Sequence, residues 1–181
     1  ADMCGVGSEV KKITTRAMNG ELGFHDALNE RVSLLAQCPT SVVEQVLENR
    51  ITLRSGGKTL VSTMKANGAY TALVSGGFTA FSIPIGANLG FDEQNANILV
   101  EENGVFTGKV AEPILGKNEK VNQLNRLVKE RGLMHSDVLA VGDGANDLGM
   151  LAIAGIGVAM HAKPIVAEKC DIVINHCDLS S

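Results

Sequence analysis

Two carboxylates and a side-chain amide share a glycine-rich turn at Val141-Gly142-Asp143-Gly144-Ala145-Asn146-Asp147, directly after the apolar run Val138-Leu139-Ala140-Val141. A buried strand that ends on such a turn sets oxygen ligands at the mouth of a parallel sheet, where a magnesium ion and a phosphate can meet. Asp143 stands one residue past the strand, placed to bind a hard cation that bridges to phosphate oxygens. Asp147 opens the next helix, and two roles compete for it: capping free helix amides, or orienting the waters and ligands of the cation. The stretch is not a dinucleotide fingerprint, because a carboxylate occupies the place of the third glycine and repels a pyrophosphate.

A second polar strand end lies at Ser75-Gly76-Gly77. Its hydroxyl and two unobstructed glycine amides make a neutral phosphate cradle. Taken alone the tripeptide reads first as a generic turn, and only its pairing with the acidic turn reverses that preference. Phosphoryl transfer also calls for a fixed cation to neutralise charge on the equatorial oxygens. Lys120, near the start of the helix before the acidic strand, is the candidate, although spacing does not separate it from Lys117 or Lys129.

These groups must be held by a fold of modest size. The 181 residues, 45% hydrophobic, suffice for one full core and a small accessory domain. A net charge of -4 with interspersed signs leaves no broad basic surface, which argues against nucleic acid as a partner. No apolar run has the length of a membrane span, and no basic and apolar leader opens the sequence, so a soluble cytoplasmic protein is the expectation. Cys4, Cys38, Cys170 and Cys177 show no Cys-x-x-Cys spacing and read as reduced thiols. The four histidines are scattered, without the paired spacing of a zinc site.

Hydrophobic periodicity divides the chain in two. Residues 8–49 read as helices: Ser8 caps Glu9 to Met18, Asn19-Gly20 ends that helix, Phe24, Leu28, Val32 and Leu35 recur at helical spacing, and Pro39 breaks the chain before Ser41 to Glu48. From about Gly56 helices and strands alternate, the pattern of a parallel sheet covered by helices. Lys58 to Ala66 reads as helix, Tyr70 to Val74 as strand, and a helix from Thr79 is interrupted by Pro84 and Gly86. Asn103-Gly104 between two apolar runs signals a hairpin that departs from the parallel sheet. Glu119 to Arg131 reads as amphipathic helix, Val138 to Val141, Ile156 to Ala159 and Asp171 to Asn175 as strands, and Asp147 to Ala154 as helix despite Gly149. The predicted domains are a helical cap over 1–52 and an α/β core over 53–181.

The run Leu73-Val74-Ser75-Gly76-Gly77-Phe78, the Lys120 helix, the turn Val141 to Leu148 and His161-Ala162-Lys163-Pro164 resemble the phosphoserine phosphatase family of the haloacid dehalogenase superfamily. The helical module is similar to that family's cap at Gly7 to Val10, Ile13-Thr14, Ala17 to Gly20, Phe24 and Arg31 to Leu35. The resemblance implies a Rossmann-like parallel sheet of the haloacid dehalogenase type with a small helical cap. It also implies a magnesium-dependent phosphomonoesterase that releases serine from O-phosphoserine in serine biosynthesis. It makes Ser75 and the Gly76 amide phosphate holders, Lys120 the fixed cation, Asp143 the magnesium ligand with Asp147 in support, and Asn146 a contact to phosphate or substrate. Arg31 would pair with the substrate carboxylate, while Met18 and Phe24 shape an apolar wall over it. The implied partner is a small phosphomonoester, on a monomer or homodimer.

That family's reaction begins at an Asp-x-Asp strand, whose first aspartate forms an aspartyl-phosphate and whose second serves as acid and base. No Asp-x-Asp occurs in the 181 residues. Ala1-Asp2-Met3-Cys4-Gly5 corresponds to a point just beyond that strand, and Asp2 lacks its apolar surroundings. A sheet without its central strand leaves the two neighbouring strands short of partners, at about 1–3 kcal/mol for each unpaired buried group. The expectation is therefore a core lacking its first strand, with a preceding segment outside these residues and no turnover without it. The alternatives are a phosphatase for another small phosphorylated amino acid or metabolite, and an inactive phosphate-binding fragment.

Overall fold

The computed structural model describes residues 1–116 and 118–180. In chain order these form helices α1 (Gly7–Met18), α2 (Phe24–Ser33), α3 (Val42–Asn49) and α4 (Gly57–Ala66), strand β1 (Ala72–Phe78), helix α5 (Thr79–Leu89) and strands β2 (Glu93–Asn97), β3 (Leu99–Glu102) and β4 (Val105–Val110). Helix α6 (Glu119–Arg131), strand β5 (Leu139–Gly142), helix α7 (Leu148–Ile153), strand β6 (Ile156–Met160), helix α8 (Pro164–Ala167) and strand β7 (Ile172–Ile174) complete the chain. The contacts divide it into two compact units, Ala1–Leu53 with Ser75–Gly116, and Arg54–Val74 with Lys117–Ser181. This division differs from a cap over 1–52 on a core over 53–181, because Ser75–Gly116 groups with the N-terminal helices.

The first unit owes that grouping to a shared apolar core. Leu28 and Val32 of α2, Cys38, Leu99 and Phe106 of the β3–β4 hairpin, and Ile114 are all buried together. The hairpin turns at Asn103 and Gly104, both at positive φ (51° and 78°), so Glu102 faces Val105 across a tight primed turn as the Asn-Gly signal predicts. The Gln37 N–H donates to the Phe106 carbonyl and the Phe106 N–H to the Cys38 carbonyl, both at 2.9 Å, which lays the segment after α2 along β4. Cys4 and Cys38 are joined as a disulfide, correcting the expectation of four thiols; Cys170 and Cys177 are free. Thirty-four residues separate the pair, a spacing that carries no motif, and only the folded module brings their Cα atoms to 5.8 Å.

Several local expectations shift. Helix α1 begins at Gly7 and Ser8 does not cap it; the Ser8 hydroxyl instead donates to Glu9 at 2.7 Å. Helix α5 runs through Pro84 without a break. As the sixth residue of the helix Pro84 forfeits the bond an N–H there would donate to the Ala80 carbonyl, and the helix continues despite that loss. Gly86 and Gly149 are explained by close approach: a Cβ would strike the Gln94 side chain at the first and Val121 at the second. β1 continues through Ser75-Gly76-Gly77 to Phe78 and pairs with β2, a polar strand with no apolar alternation to announce it.

The second unit holds a parallel three-stranded sheet in the order β5-β6-β7. Among the described residues β5 is paired on one side only. Ala140, Leu151, Ala159 and Val166 form its buried core, with Leu148, Met150 and Cys170 against them. This core fixes β5 and α7 to each other, and so fixes the turn between them. Among the described residues no helix is long and apolar enough to cross a membrane.

Candidate active site

In the second unit the end of β5 and the start of α7 build a small acidic basin. Asp147 precedes α7, but its carboxylate does not cap that helix. It turns back instead, and its Oδ2 accepts the amide N–H groups of Asp143 at 3.0 Å and Gly144 at 2.9 Å. Its Oδ1 accepts from the Lys120 ammonium. The Asp147 side chain is 3% exposed and that of Lys120 18%. A buried carboxylate survives only when its charge is paired and its lone pairs are filled, and here both conditions hold. Gly142 is required by this arrangement, since a Cβ there would lie 2.5 Å from the Cβ of Asp147.

Asp143 differs in every respect. Its side chain is exposed and, among the described residues, its carboxylate has no hydrogen-bond or ion-pair partner. It faces a cavity of about 210 Å³ lined also by Arg54, Lys120, Val141, Gly142, Asp147, Met160 and Leu179. Arg54 and Leu179 are held by a clamp between the loop before α4 and the C-terminal segment: Leu179 N–H donates to the Ser55 carbonyl at 3.2 Å, and the Ser55 hydroxyl donates to Asp178 at 2.6 Å. Hydrogen bonds from the hydroxyls of Ser180 and Ser55 hold the Asp178 carboxyl down at about 2. A wider hollow of about 590 Å³ follows the solvent face of α6 past Asn122, Asn125, Arg126, Lys129 and Glu130. It has no strand end, and Arg126 pairs with Glu130 at 2.7 Å along the helix, so it offers no comparable chemistry. Of the three lysines that spacing left open, Lys120 reaches the acidic turn, Lys129 lines that other hollow, and Lys117 lies outside the described residues.

The donor set suits magnesium in a particular way. Asp143 offers a free carboxylate, whereas both oxygens of Asp147 are already engaged by Lys120 and the turn amides. Among the described residues no group of three His, Cys, Asp or Glu is placed to cage a metal. Magnesium is commonly held by one or two carboxylates with water and phosphate completing its shell, so a single direct ligand fits it better than zinc or calcium. Asn146 is exposed on the same turn.

The first unit carries the remaining candidates. Ser75 is half-buried near the end of β1, and its hydroxyl accepts the Gly77 N–H at 3.0 Å. Gly76 is exposed, with nothing within 4 Å of where a Cβ would stand. Its carbonyl accepts from the side chain of Asn97 at 3.2 Å, a residue the sequence reading passed over. Its only sequence signal is a polar strand end, Gln94-Asn95-Ala96-Asn97, in a chain that otherwise buries apolar strands. In the helices, Arg31 donates its Nε–H to the Ala27 carbonyl at 2.9 Å, which fixes the planar group by one edge. Met18 is 76% exposed and Phe24 39%, so neither serves as core. Phe24 meets His25 edge to face at 5.9 Å between ring centroids.

A parallel sheet with an acidic turn after β5 and a lysine from the preceding helix is the frame of a hydrolase superfamily, and the chain belongs to it: the haloacid dehalogenase-like hydrolase profile matches residues 9–152. Within that family the chain is similar to phosphoserine phosphatases. That of Streptococcus thermophilus is 45% identical over 175 residues, spanning 97% of this chain and 81% of its own length. That of Archaeoglobus fulgidus is 42% identical over 171 residues, so this chain spans 49% of that relative's length. A solved phospho-aspartyl intermediate analogue of phosphoserine phosphatase superposes with a TM-score of 0.85 at 43% identity, over 97% of this chain and 84% of that one.

Proposed function

We propose that this chain carries the phosphate- and magnesium-binding parts of a phosphatase that hydrolyses O-phosphoserine to serine and phosphate. The observation that carries the reading is the unpaired Asp143 carboxylate at the end of β5, set beside the buried Lys120–Asp147 pair. A magnesium ion held there by Asp143 would draw negative charge from the phosphate oxygens. Asp147 keeps the turn and the Lys120 ammonium in place, and Lys120 supplies fixed positive charge at the cavity wall. Ser75 and the Gly76 amide donate to phosphate oxygens, and Asn146 reaches phosphate or substrate from the turn. Arg31, with one edge bound to its own helix, offers its outer nitrogens to the substrate carboxylate, while Met18 and Phe24 present apolar surface to the rest of the ligand. The similarity to phosphoserine phosphatases supports this substrate, and the phospho-aspartyl intermediate analogue solved for one of them supports a covalent aspartyl-phosphate route.

The 181 residues contain no Asp-x-Asp. In our reading the nucleophile and the acid-base aspartate come from outside them, and the 181-residue chain alone binds phosphate without turnover. The protein acts in the cytoplasm, as a monomer or homodimer, on a small metabolite and not on nucleic acid. Phosphate release from O-phosphoserine by the full-length protein tests the reading, and magnesium-dependent release that Asp143→Asn abolishes is the outcome expected. Turnover indifferent to Asp143→Asn would sink it. Arg31→Ala tests the substrate: a KM raised for phosphoserine but not for phosphates lacking a carboxylate supports an amino-acid substrate, and no change points to another metabolite.

A further inference from the structure

Asn97 is 1% exposed, one of the most deeply buried polar side chains among the described residues. Burying a carboxamide is unfavourable unless its donors and acceptor are matched, and all its bonds here run to backbone of two separate segments. Oδ1 accepts the Leu115 N–H at 2.7 Å, and Nδ2 donates to the Gly76 carbonyl at 3.2 Å and, more weakly, to the Leu115 carbonyl at 3.4 Å. The Leu115 N–H can only donate and the Gly76 carbonyl can only accept, so the two ends of the amide are not interchangeable.

The Gly76 carbonyl and the Gly77 N–H belong to one peptide plane. Asn97 holds its oxygen, and its N–H donates to the Ser75 hydroxyl at 3.0 Å. That hydroxyl accepts one hydrogen bond there and keeps its own proton as a donor. Polarising one end of a peptide strengthens the bond at the other. Nothing among the described residues stands within 4 Å of where a Cβ at Gly76 would lie.

We propose that Asn97 is a positioning residue for phosphate: through the Gly76–Gly77 peptide it fixes the Gly77 N–H that the Ser75 hydroxyl accepts, and so the direction of that hydroxyl. This rests on the reading of Ser75 and Gly76 as a phosphate cradle. Asn97 touches no substrate, and its effect is carried by the backbone. The same side chain ties the cradle to Leu115, whose neighbour Gly116 lies against His25 and Phe24.

The test uses full-length protein and Asn97→Asp, which keeps the shape and the Leu115 bond but replaces the Nδ2 donor by an oxygen facing the Gly76 carbonyl. Inorganic phosphate binding by calorimetry is measured together with KM and kcat on O-phosphoserine and the Tm. Phosphate Kd and KM are expected to rise about tenfold, with kcat falling by less. Val166→Ala, a core truncation in the other unit, should lower the Tm while leaving phosphate Kd within about twofold. Asn97→Ser, a milder change, takes the same measurements if the aspartate variant does not fold. Wild-type phosphate Kd in the folded variants, whatever their Tm, would reduce Asn97 to a structural residue and overturn the proposal. A wild-type protein that neither binds phosphate nor hydrolyses phosphoserine would overturn the cradle reading itself, and this inference with it.

Discussion

The two glycine-rich segments of this molecule, the turn after β5 and the end of β1, solve the same problem by opposite means. The turn after β5 is charged and organises itself: Asp147 reaches back three and four residues to the amides of Gly144 and Asp143, and Lys120 neutralises it from the preceding helix. The end of β1 at Ser75-Gly76-Gly77 is neutral, and its Gly76 carbonyl is tied by Asn97, twenty-one residues further along the chain. A buried charge forces its own satisfaction nearby, because leaving it unpaired costs several kcal/mol. A neutral cradle has no such compulsion, and its geometry is set by whatever packs behind it.

Substitutions at the two segments should separate function from stability differently. The largest effect is expected from Asp143→Asn in the full-length protein, with kcat down about 10³-fold or more and an unchanged circular dichroism spectrum, since among the described residues this carboxylate binds no protein group. A large loss of stability there would break the contrast between Asp143 and Asp147. Next is Asp147→Ala, which strands Lys120 and two turn amides. Urea unfolding should show a loss of about 3 kcal/mol, somewhat reduced because Lys120 keeps partial contact with water.

The glycines give a paired test. Gly142→Ala drives a Cβ into the Asp147 side chain and should destabilise by about 1–3 kcal/mol. Gly76→Ala meets nothing within 4 Å, so its stability should stay within about 0.5 kcal/mol. Its added methyl stands where phosphate is read to approach, so phosphate affinity should fall. Equal stability losses at the two glycines, read from matched urea curves, would erase the distinction.

The smallest effect concerns pH. The Asp178 carboxyl is held at about 2, below its ordinary value of 3.8. A lowered folded-state value gives stability that is present above about pH 4 and lost as pH falls towards 2. Asp178→Asn should flatten that part of the acid-stability curve by slightly lowering stability above about pH 4, leaving stability near pH 2 unchanged. Because the group is exposed, the slope removed will be slight. A curve unaltered by the substitution would mean the Ser55–Asp178–Ser180 contacts do not persist in solution.

Legibility followed the range of the interactions. Helix α6 spans Glu119–Arg131, the bounds its amphipathic period predicts, because that period is a local signal. The β3–β4 hairpin was equally clear, since Asn103-Gly104 demands positive φ wherever it falls. β2 went unseen because Glu93-Gln94-Asn95-Ala96-Asn97 has neither apolar alternation nor β-branched residues; pairing with β1 makes it a strand. The run of α5 through Pro84 and the Cys4–Cys38 disulfide were likewise settled by surroundings and not by local preference.

By itself the sequence determined the alternation of helices and strands, the acidic turn and the serine turn, since period, capping and turn chemistry act over a few residues. Tertiary structure decided which of the acidic pair is bonded and which is free, which lysine reaches them, and that Asn97 underlies the serine segment at the end of β1. Those outcomes depend on distances across the fold, where packing and the need to satisfy buried polar groups govern and residue spacing carries no information.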